Sequence, residues 1–427
     1  MTETCVTLKY PSARRKSSFL SLSFCILSCT IVFFQEYFIG SADVLLFSET
    51  LILALIMSLI RGTMSLSNLW LVWCLYFFLV VIELPFSHDI ISSVKVFVVT
   101  LALWASVYLY AGYQRCRDLL PEMLFLTSGF YTVSVMVQFL FPEIVDAFNA
   151  RFLTAESYEH FRKGYEAGSF SGIAKETGVV AYYCVIFSAF HVCALLFEQK
   201  NRFRHYLFIS VSILALMLTK KRAHFLGLLI VIVVIIAYKE GMRTFKKILA
   251  AGIGMAVLLL IASQIPEMQV IIERITKGGL SGREQIYAIL LKQFRQNPLT
   301  GIGLGCSGMY IYGHSNASTA HNEYLRTLCE TGIFGFIAFG TALCYVYFHT
   351  LRRFRRALRR KSVPDRELTL MAFSIFMQTF ILMYSMTGNP LSDYSQLYMY
   401  FLCVMLGNPR YAESHTAPLD FRKSDKF

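Results

Sequence analysis

Long apolar runs recur along the whole chain, and they constrain its fold more than any other feature. A helix needs about 20 mostly apolar residues to cross the hydrocarbon of a bilayer. Runs near that length, some of them shorter, alternate with polar turns. They predict an all-α polytopic membrane protein, a single transmembrane domain over residues 1–427 with about 12 transmembrane helices. The predicted spans are 17–38, 44–60, 69–85, 91–111, 119–141, 178–197, 206–219, 223–238, 248–264, 333–350, 368–386 and 394–406.

The distribution of positive charge predicts the orientation of these helices. Only 16% of the residues are charged and 56% are hydrophobic, which excludes an ordinary soluble domain. With the N-terminus in the cytoplasm, 26 of the 40 Lys and Arg residues fall inside, 13 outside and Lys95 within a span. The opposite orientation would place the basic cluster 352–366 outside, so both termini are predicted to be cytoplasmic. The net charge of +13 then reflects topology among membrane lipids, not nucleic-acid binding.

Two long polar segments lie outside in this orientation, at 143–177 and 265–332, the latter between predicted helices 9 and 10. In the second, Ser281-Gly282-Arg283-Glu284 fits a helix capping box with Ser281 as N-cap, and Asn297-Pro298 ends the helical pattern. Residues 300–305 form a glycine-rich turn, and no strand-helix unit accompanies it to suggest a dinucleotide site. A second helix is predicted from Ser318 or Thr319, carrying His321 towards the tenth span.

Several cations occupy positions that membrane topology disfavours. Lys220-Lys221-Arg222 forms an outside turn, and Lys95 lies about one turn into the fourth span. An ammonium group at the centre of a bilayer costs roughly 2.5–3.5 kcal/mol on insertion scales. Arg283 lies in the first turn of a helix, where the helix dipole favours an anion rather than a cation. Together they indicate a site for a lipid-linked phosphate or diphosphate.

Each cation also has a simpler interpretation. Lys95 can extend its ammonium group to the membrane surface, Lys220 and Lys221 can be solvated turn residues, and Arg283 can pair with Glu284. Arg222 is the hardest to explain this way, because it borders two apolar spans.

His321 is the preferred catalytic candidate. A neutral imidazole near pH 7 can take a proton from an attacking hydroxyl, although a lone histidine on a helix is more often a packing residue. His224 and His314 are competitors, and His314 lies in a Ser/Asn/Gly-rich turn with little to hold it. Cys306 and Cys329 are the cysteines predicted to lie in outside loops, where pairing is possible. The sequence has no CxxC pair, and we expect neither a metal nor a cofactor.

Taken together, these motifs resemble the O-antigen ligase and O-antigen polymerase superfamily of bacterial polysaccharide assembly. The matching residues are Leu218-Thr219-Lys220-Lys221-Arg222-Ala223, Ser281-Gly282-Arg283, Asn297-Pro298-Leu299-Thr300-Gly301-Ile302-Gly303, His321-Asn322-Glu323-Tyr324-Leu325 and Glu330-Thr331-Gly332-Ile333-Phe334-Gly335. They span roughly residues 210–340, and their order and spacing are more specific than any one of them. The pair Lys220-Lys221 departs from the family pattern, in which many members carry neutral polar residues there.

The resemblance implies a metal-independent, inverting glycosyltransfer at the outer face of the bacterial cytoplasmic membrane. The implied donor is a glycan on undecaprenyl diphosphate, and the implied acceptor is another glycan. Arg222 and Arg283 would then hold the diphosphate together with Lys95, Lys220 and Lys221, and His321 would act as general base. Asn322, Glu323 and Tyr324 are assigned to the acceptor or to orienting neighbouring groups.

Three functions stay open at the level of sequence. A polymerase of lipid-linked repeat units and a ligase that transfers glycan to lipid A core use the same donor. The basic residues Arg151, Arg162 and Lys163 of the first outside loop favour the polymerase. A membrane transporter would carry ionisable residues near the membrane centre and repeated halves; most charge here lies at the outer helix ends, and no repeat is visible.

Overall fold

A computed structural model describes residues 6–9, 18–37, 43–61, 63–66, 68–198, 201–240, 283–313, 320–360 and 362–408. This part of the chain is almost entirely helical, which confirms the predicted helical architecture. Its α-helices are α1 (Ser18–Phe33), α2 (Asp43–Arg61), α3 (Asn68–Glu83), α4 (Ile90–Tyr110), α5 (Gln114–Leu140), α6 (Pro142–Phe152), α7 (Ala155–Glu166), α8 (Thr177–Phe197), α9 (Arg202–Leu218), α10 (Arg222–Glu240), α11 (Arg283–Gln296), α12 (Ser307–Tyr312), α13 (Glu323–Leu358), α14 (Asp365–Tyr384) and α15 (Tyr394–Leu406).

Two short elements of other types accompany the helices. Strands β1 (Val6–Lys9) and β2 (Thr63–Leu66) pair antiparallel, with Val6 opposite Leu66. Single 3-10 turns follow α1 and α3, at Gln35–Tyr37 and Leu84–Phe86.

Seven helices among the described residues are long and apolar enough to cross a membrane. They are Leu69–Phe86, Ile90–Tyr110, Arg115–Leu140, Thr177–Phe197, Arg222–Glu240, Glu323–Leu358 and Asp365–Tyr384. The segments Ser23–Phe33 and Tyr394–Leu406 are shorter apolar helices, and α9 has 17 residues. The predicted count of twelve spans is therefore not confirmed, and predicted span 248–264 lies outside the described residues.

Helix α8 lies at the centre of the packing. It contacts α5, α9, α10 and α14, and most of its residues are buried. Aromatic rings fill the interface with α5: Tyr131 stacks on Tyr183 with ring centroids 4.2 Å apart. A helix that is apolar on every side suits this position, because it has no polar face to present to solvent.

Helix α13 consists of two segments joined at a break. Gly332 has φ 58° and ψ −167°, which interrupts the helical geometry between Thr331 and Ile333. The prediction that this helix begins at Ser318 or Thr319 is wrong: it begins at Glu323. Asn322 is the N-cap, and its side chain accepts a hydrogen bond from Leu325 N at 3.0 Å. His321 therefore precedes the helix instead of lying on one of its faces.

The first predicted outside loop, 143–177, is largely helical, because α6 and α7 fall within it. In the second, α11 (Arg283–Gln296) ends before Asn297-Pro298, as the sequence predicts. Residues 265–282 and 314–319 of that loop, including the predicted N-cap Ser281 and the competing His314, lie outside the described residues.

Candidate functional site

The basic turn, Thr219–Arg222, connects α9 to α10 and is fixed to the first outside loop. Lys220 adopts a left-handed backbone with φ 56°, and its Nζ donates to the carbonyl of Ala167 at 3.0 Å. Phe170 N donates to Leu218 O at 3.1 Å just before the turn. The ammonium group of Lys220 is thus engaged with a protein carbonyl.

The other two cations of the basic turn extend in different directions from Lys220. Lys221 passes beside the first turn of α8, so that a Cβ added to Gly178 would lie 4.0 Å from its Cε. Arg222 is the first residue of α10 and is exposed.

Helix α11 brings Arg283 to His321. Arg283 is the first residue of the helix and is half-buried. One turn later, the Tyr287 hydroxyl donates to the carbonyl of His321 at 3.1 Å. This contact places the N-terminus of α11 beside the residue that precedes α13.

His321 is held in an uncommon backbone conformation. Its φ of 52° lies in the left-handed region, where histidine is found more often than most residues but is still rare. The two residues that follow it are bonded: Asn322 caps α13, and Glu323 N donates to Ser385 O, just after α14, at 2.8 Å. The conformation turns the chain so that His321 lies outside the helix that follows it.

The electrostatics of His321 connect three of the predicted site residues. Burial lowers the pKa of His321 below its usual value near 6.5, and the positive charges of Arg283 and then Lys221 lower it further. Burial also lowers the pKa of Lys221, with Glu176 opposing this effect and Arg283 adding to it. Although the side chain of Lys221 is still accessible to solvent, the protein around it displaces part of its hydration. The charges of Lys221 and Arg283 therefore act electrostatically on each other and on His321.

Lys95 lies near the start of α4. It is half-buried in the second turn of α4, whose N-cap is Asp89. The start of α4 packs on the glycine-rich turn: Ser93 Oγ donates to Leu304 O at 2.8 Å, and His88 N donates to Ile302 O at 2.9 Å.

The three residues assigned to the acceptor make internal contacts. The side chain of Asn322 caps α13, and the Tyr324 hydroxyl donates to Leu382 O at 2.7 Å. Glu323 is buried, and its carboxylate accepts from Ser392 Oγ at 2.9 Å and from Leu391 N at 3.2 Å. These residues fix the start of α13 to α14 and to the turn before α15.

Sequence reasoning overlooked a buried ionic network beside these residues. Arg326 contacts Glu330 through Nε at 3.0 Å and Nη2 at 3.0 Å, and Glu323 through Nη1 at 3.4 Å. The signal was present, since the spacing Glu323, Arg326, Glu330 places the three on one helix face. A cavity of about 30 Å³, room for a water molecule, adjoins the network.

His224, the other described competitor, is buried beneath the basic turn. Its ring centroid lies 4.2 Å from that of Tyr384, and neither ring nitrogen has a hydrogen-bond partner among the described residues. It therefore packs as an aromatic ring, whereas His321 is partly accessible to solvent.

Two of the three basic residues singled out in the first predicted outside loop, Arg162 and Lys163, are paired with carboxylates. Arg162 lies 3.4 Å from Asp146 and 3.6 Å from Glu166, and Lys163 lies 2.7 Å from Glu159. Their charge therefore gives less support to a glycan-binding role than the sequence suggests.

Neither a disulfide nor a metal centre is seen in the part of the chain that the structure describes. Cys306 and Cys329 are both free and buried in one small apolar cluster with Leu290, Ile302 and Ala320. The described residues contain no group of three His, Cys, Asp or Glu side chains placed to hold a metal ion.

Part of the chain is similar to a known protein family. Residues 207–340 match the model of a protein family described as O-antigen ligase. No curated protein gave a match. The matched segment runs from α9 into α13 and contains every predicted site residue except Lys95. The match supports the O-antigen ligase and polymerase superfamily and, with the apolar helices, a multi-pass bacterial membrane protein.

Proposed function

We propose that this protein, whose residues 207–340 carry the match to the O-antigen ligase family, transfers a glycan from undecaprenyl diphosphate to a sugar hydroxyl. The reaction takes place at the outer face of the bacterial cytoplasmic membrane, and the termini are cytoplasmic. The observation that supports the proposal is the contact of α11 with His321 inside the matched segment: Tyr287, one turn after Arg283, bonds the His321 carbonyl, and the charges of Arg283 and Lys221 act on the His321 ring. A half-buried imidazole beside two cations provides both a proton acceptor and a binding site for an anionic leaving group.

In the proposed reaction, the acceptor hydroxyl oxygen attacks the anomeric carbon of the donor sugar. The bond from that carbon to the diphosphate oxygen breaks, and its electron pair stays on the diphosphate. His321 takes the proton of the attacking hydroxyl. Attack from the face opposite the leaving group inverts the configuration at the anomeric carbon.

The cations stabilise the leaving diphosphate. Arg283 and Lys221 lie near His321, and Arg222 adds a guanidinium group at the start of α10. Negative charge grows on the diphosphate as its bond to the sugar breaks, so fixed cations in a partly dehydrated site favour the transition state over the ground state. Lys95 assists in binding the diphosphate in this proposal. Lys220 has a secondary role, because its ammonium group already bonds the carbonyl of Ala167.

A lipid-linked diphosphate donor suits this arrangement. Such a donor is already activated and reaches the site from the membrane, so the outer face needs no supply of nucleotide sugars. In this proposal the fixed cations take the role that a divalent metal has in other glycosyl transfers.

We favour polymerisation of surface polysaccharide repeat units, with ligation of the glycan to lipid A core as the alternative. Both reactions require the same donor site and differ only in the acceptor. A transporter is the alternative of another class. It is less well supported, because the site residues lie at helix ends and in connecting turns instead of at the middle of the spans.

One experiment separates these functions. Purified protein in lipid nanodiscs receives lipid-linked repeat units, with or without a lipid A core acceptor, and the products are resolved by size. Longer chains on the polyprenyl carrier identify a polymerase, and glycan on the core identifies a ligase. If neither product forms while liposomes containing the protein take up solute, the proposed glycosyltransfer is wrong.

A further inference from the structure

Glu330 uses both carboxylate oxygens within the protein. Oε1 accepts from Ser307 Oγ at 2.6 Å, from Ser307 N at 3.2 Å and from Arg326 Nε at 3.0 Å. Oε2 lies 3.0 Å from Arg326 Nη2. This carboxylate therefore joins the start of α12 to the first segment of α13. Only 1% of Glu330 is exposed, so it is not accessible to a substrate.

Arg326 extends the network to a third part of the chain. Its Nη1 lies 3.4 Å from Glu323 Oε1, and Glu323 accepts from Leu391 N and Ser392 Oγ in the turn before α15. One connected set of hydrogen bonds therefore fixes the first two turns of α13 to the start of α12 and to the turn before α15. Because the network begins at Glu323, it ends two residues from His321.

His321 depends on such support. A non-glycine residue keeps a left-handed backbone only where its surroundings hold it there. Among the described residues, the contacts that fix the backbone of His321 come from Tyr287 and from the capped start of α13. Any movement of the first turn of α13 would therefore move His321 relative to Arg283 and Lys221.

We propose that Arg326 and Glu330 are positioning residues, which hold the start of α13 so that His321 faces the cations of the site. They act through His321 and do not contact the substrate. The role of His321 as general base rests on the proposed function, whereas its placement by the network does not.

The ionic character of the network supports a role in positioning. A buried ion pair often contributes no more to stability than well-packed apolar side chains of the same volume would. Its directional hydrogen bonds, however, fix geometry more narrowly than apolar contacts do. The composition of the network also favours positioning over stability. Two buried carboxylates, those of Glu323 and Glu330, contact the single guanidinium group of Arg326.

The test compares Glu330→Gln with the unsubstituted protein. Glutamine keeps the shape of the side chain but removes the charge that holds Arg326. The protein is labelled with ¹⁵N-histidine, the His321 signal is assigned by its loss in His321→Ala, and its titration is followed by NMR. We expect the pKa of His321 to rise in Glu330→Gln, because the ring moves away from Arg283 and Lys221.

Kinetics provide the second readout. If His321 is displaced, kcat should fall by about tenfold or more while the KM for the lipid-linked donor changes little, since misplacement of a reacting group acts on the chemical step. Glu122→Gln is the matched control: it also removes a carboxylate from an ion pair, with Arg366, but on the exposed surface of α5. We expect it to leave both readouts unchanged.

Ser307→Ala is a milder second variant, for use if Glu330→Gln does not fold. It removes only the hydroxyl that donates to Glu330 and should shift the titration of His321 in the same direction by a smaller amount. An unchanged His321 titration in both folded variants would overturn the positioning role. Should the unsubstituted protein lack transfer activity while the titration still shifts, the proposed function fails and the positioning inference stands.

Discussion

Gly301 and Gly332 cross each other backbone to backbone. A Cβ atom at Gly301 would lie 2.4 Å from the carbonyl carbon of Glu330, and one at Gly332 would lie 2.2 Å from the carbonyl oxygen of Leu299. Both glycines have positive φ, 68° and 58°. The glycine-rich turn thereby fits into the break in α13, where Ile302 N and Gly303 N donate to the carbonyls of Cys329 and Glu330 at 3.1 and 2.9 Å. The glycine-rich turn is therefore closely packed and hydrogen-bonded.

Gly332→Ala should destabilise the protein severely. The atoms that a new Cβ would meet belong to the backbone, so they cannot move aside as a side chain would. Together with the positive φ, this clash should cost about 3 kcal/mol or more. The measurement is thermal unfolding in detergent, together with the yield of folded protein.

Gly340→Ala is the control for this prediction. Gly340 lies in the second segment of α13, and a Cβ added there meets nothing within 4 Å. Alanine has the higher helix propensity, so this variant should be as stable as the unsubstituted protein or slightly more stable. Equal stability of Gly332→Ala and Gly340→Ala would contradict the backbone crossing.

The rate of transfer should fall at acid pH as His321 becomes protonated. Only the neutral imidazole accepts a proton, so activity is present above its pKa and is lost as pH falls through it. Because burial, Arg283 and Lys221 lower this pKa, the acid limb should lie below the usual value near 6.5. The measurement is kcat over a pH series.

Lys221→Met should move that acid limb to higher pH. Removing a positive charge near His321 makes protonation of the ring easier and therefore raises its pKa. Lys292→Met is the control: Lys292 is exposed on the same helix as Arg283 but about 13 Å further along its axis. A charge at that distance is largely screened by salt, so the limb should stay in place. An identical shift in both variants would exclude a local effect of Lys221.

His321→Ala should reduce kcat by about 10² to 10⁴, the usual contribution of a general base. His349→Ala is the matched control, since His349 lies in the second segment of α13, beyond the break at Gly332, and bonds Asn408 at 3.0 Å. Full activity of His321→Ala, in a protein that inserts and folds normally, would remove the general-base role.

Arg222→Gln should weaken use of the donor more than use of the acceptor. The loss of one guanidinium group should raise the KM for lipid-linked repeat units by about tenfold or more, because charge-assisted contacts to phosphate are stronger than neutral ones. Arg202→Gln, at the exposed start of α9, provides the comparison. A larger effect on the acceptor than on the donor would contradict the phosphate role.

The helices were the most predictable part of the fold. Eleven of the predicted spans coincide with helices in the described chain, because long apolar runs have few alternatives in a membrane. The end of α11 was also predicted correctly, since Asn297-Pro298 stops a helix. Whether each helix spans the membrane is harder to predict, as the 17 residues of α9 illustrate.

The geometry around His321 was less accessible to sequence reasoning. Asn322 is a good N-cap residue, yet the nearby Ser and Thr residues gave an equally good signal a few positions earlier. The crossing of Gly301 and Gly332 joins segments 31 residues apart in sequence, and local patterns carry no information about such a meeting. By contrast, the ionic pattern of Glu323, Arg326 and Glu330 is local and was available from helical spacing.

The bond from Lys220 to Ala167 limits where homologues of this protein can gain or lose residues. The length of the loop after α7 is constrained. Ala167 bonds Lys220 within the basic turn, and Phe170 bonds Leu218 just before the turn. Leu153 and Thr154, which connect α6 to α7, are not among the residues that bond the basic turn in the described structure. Insertions and deletions among homologues should therefore gather between α6 and α7 and avoid residues 167–170.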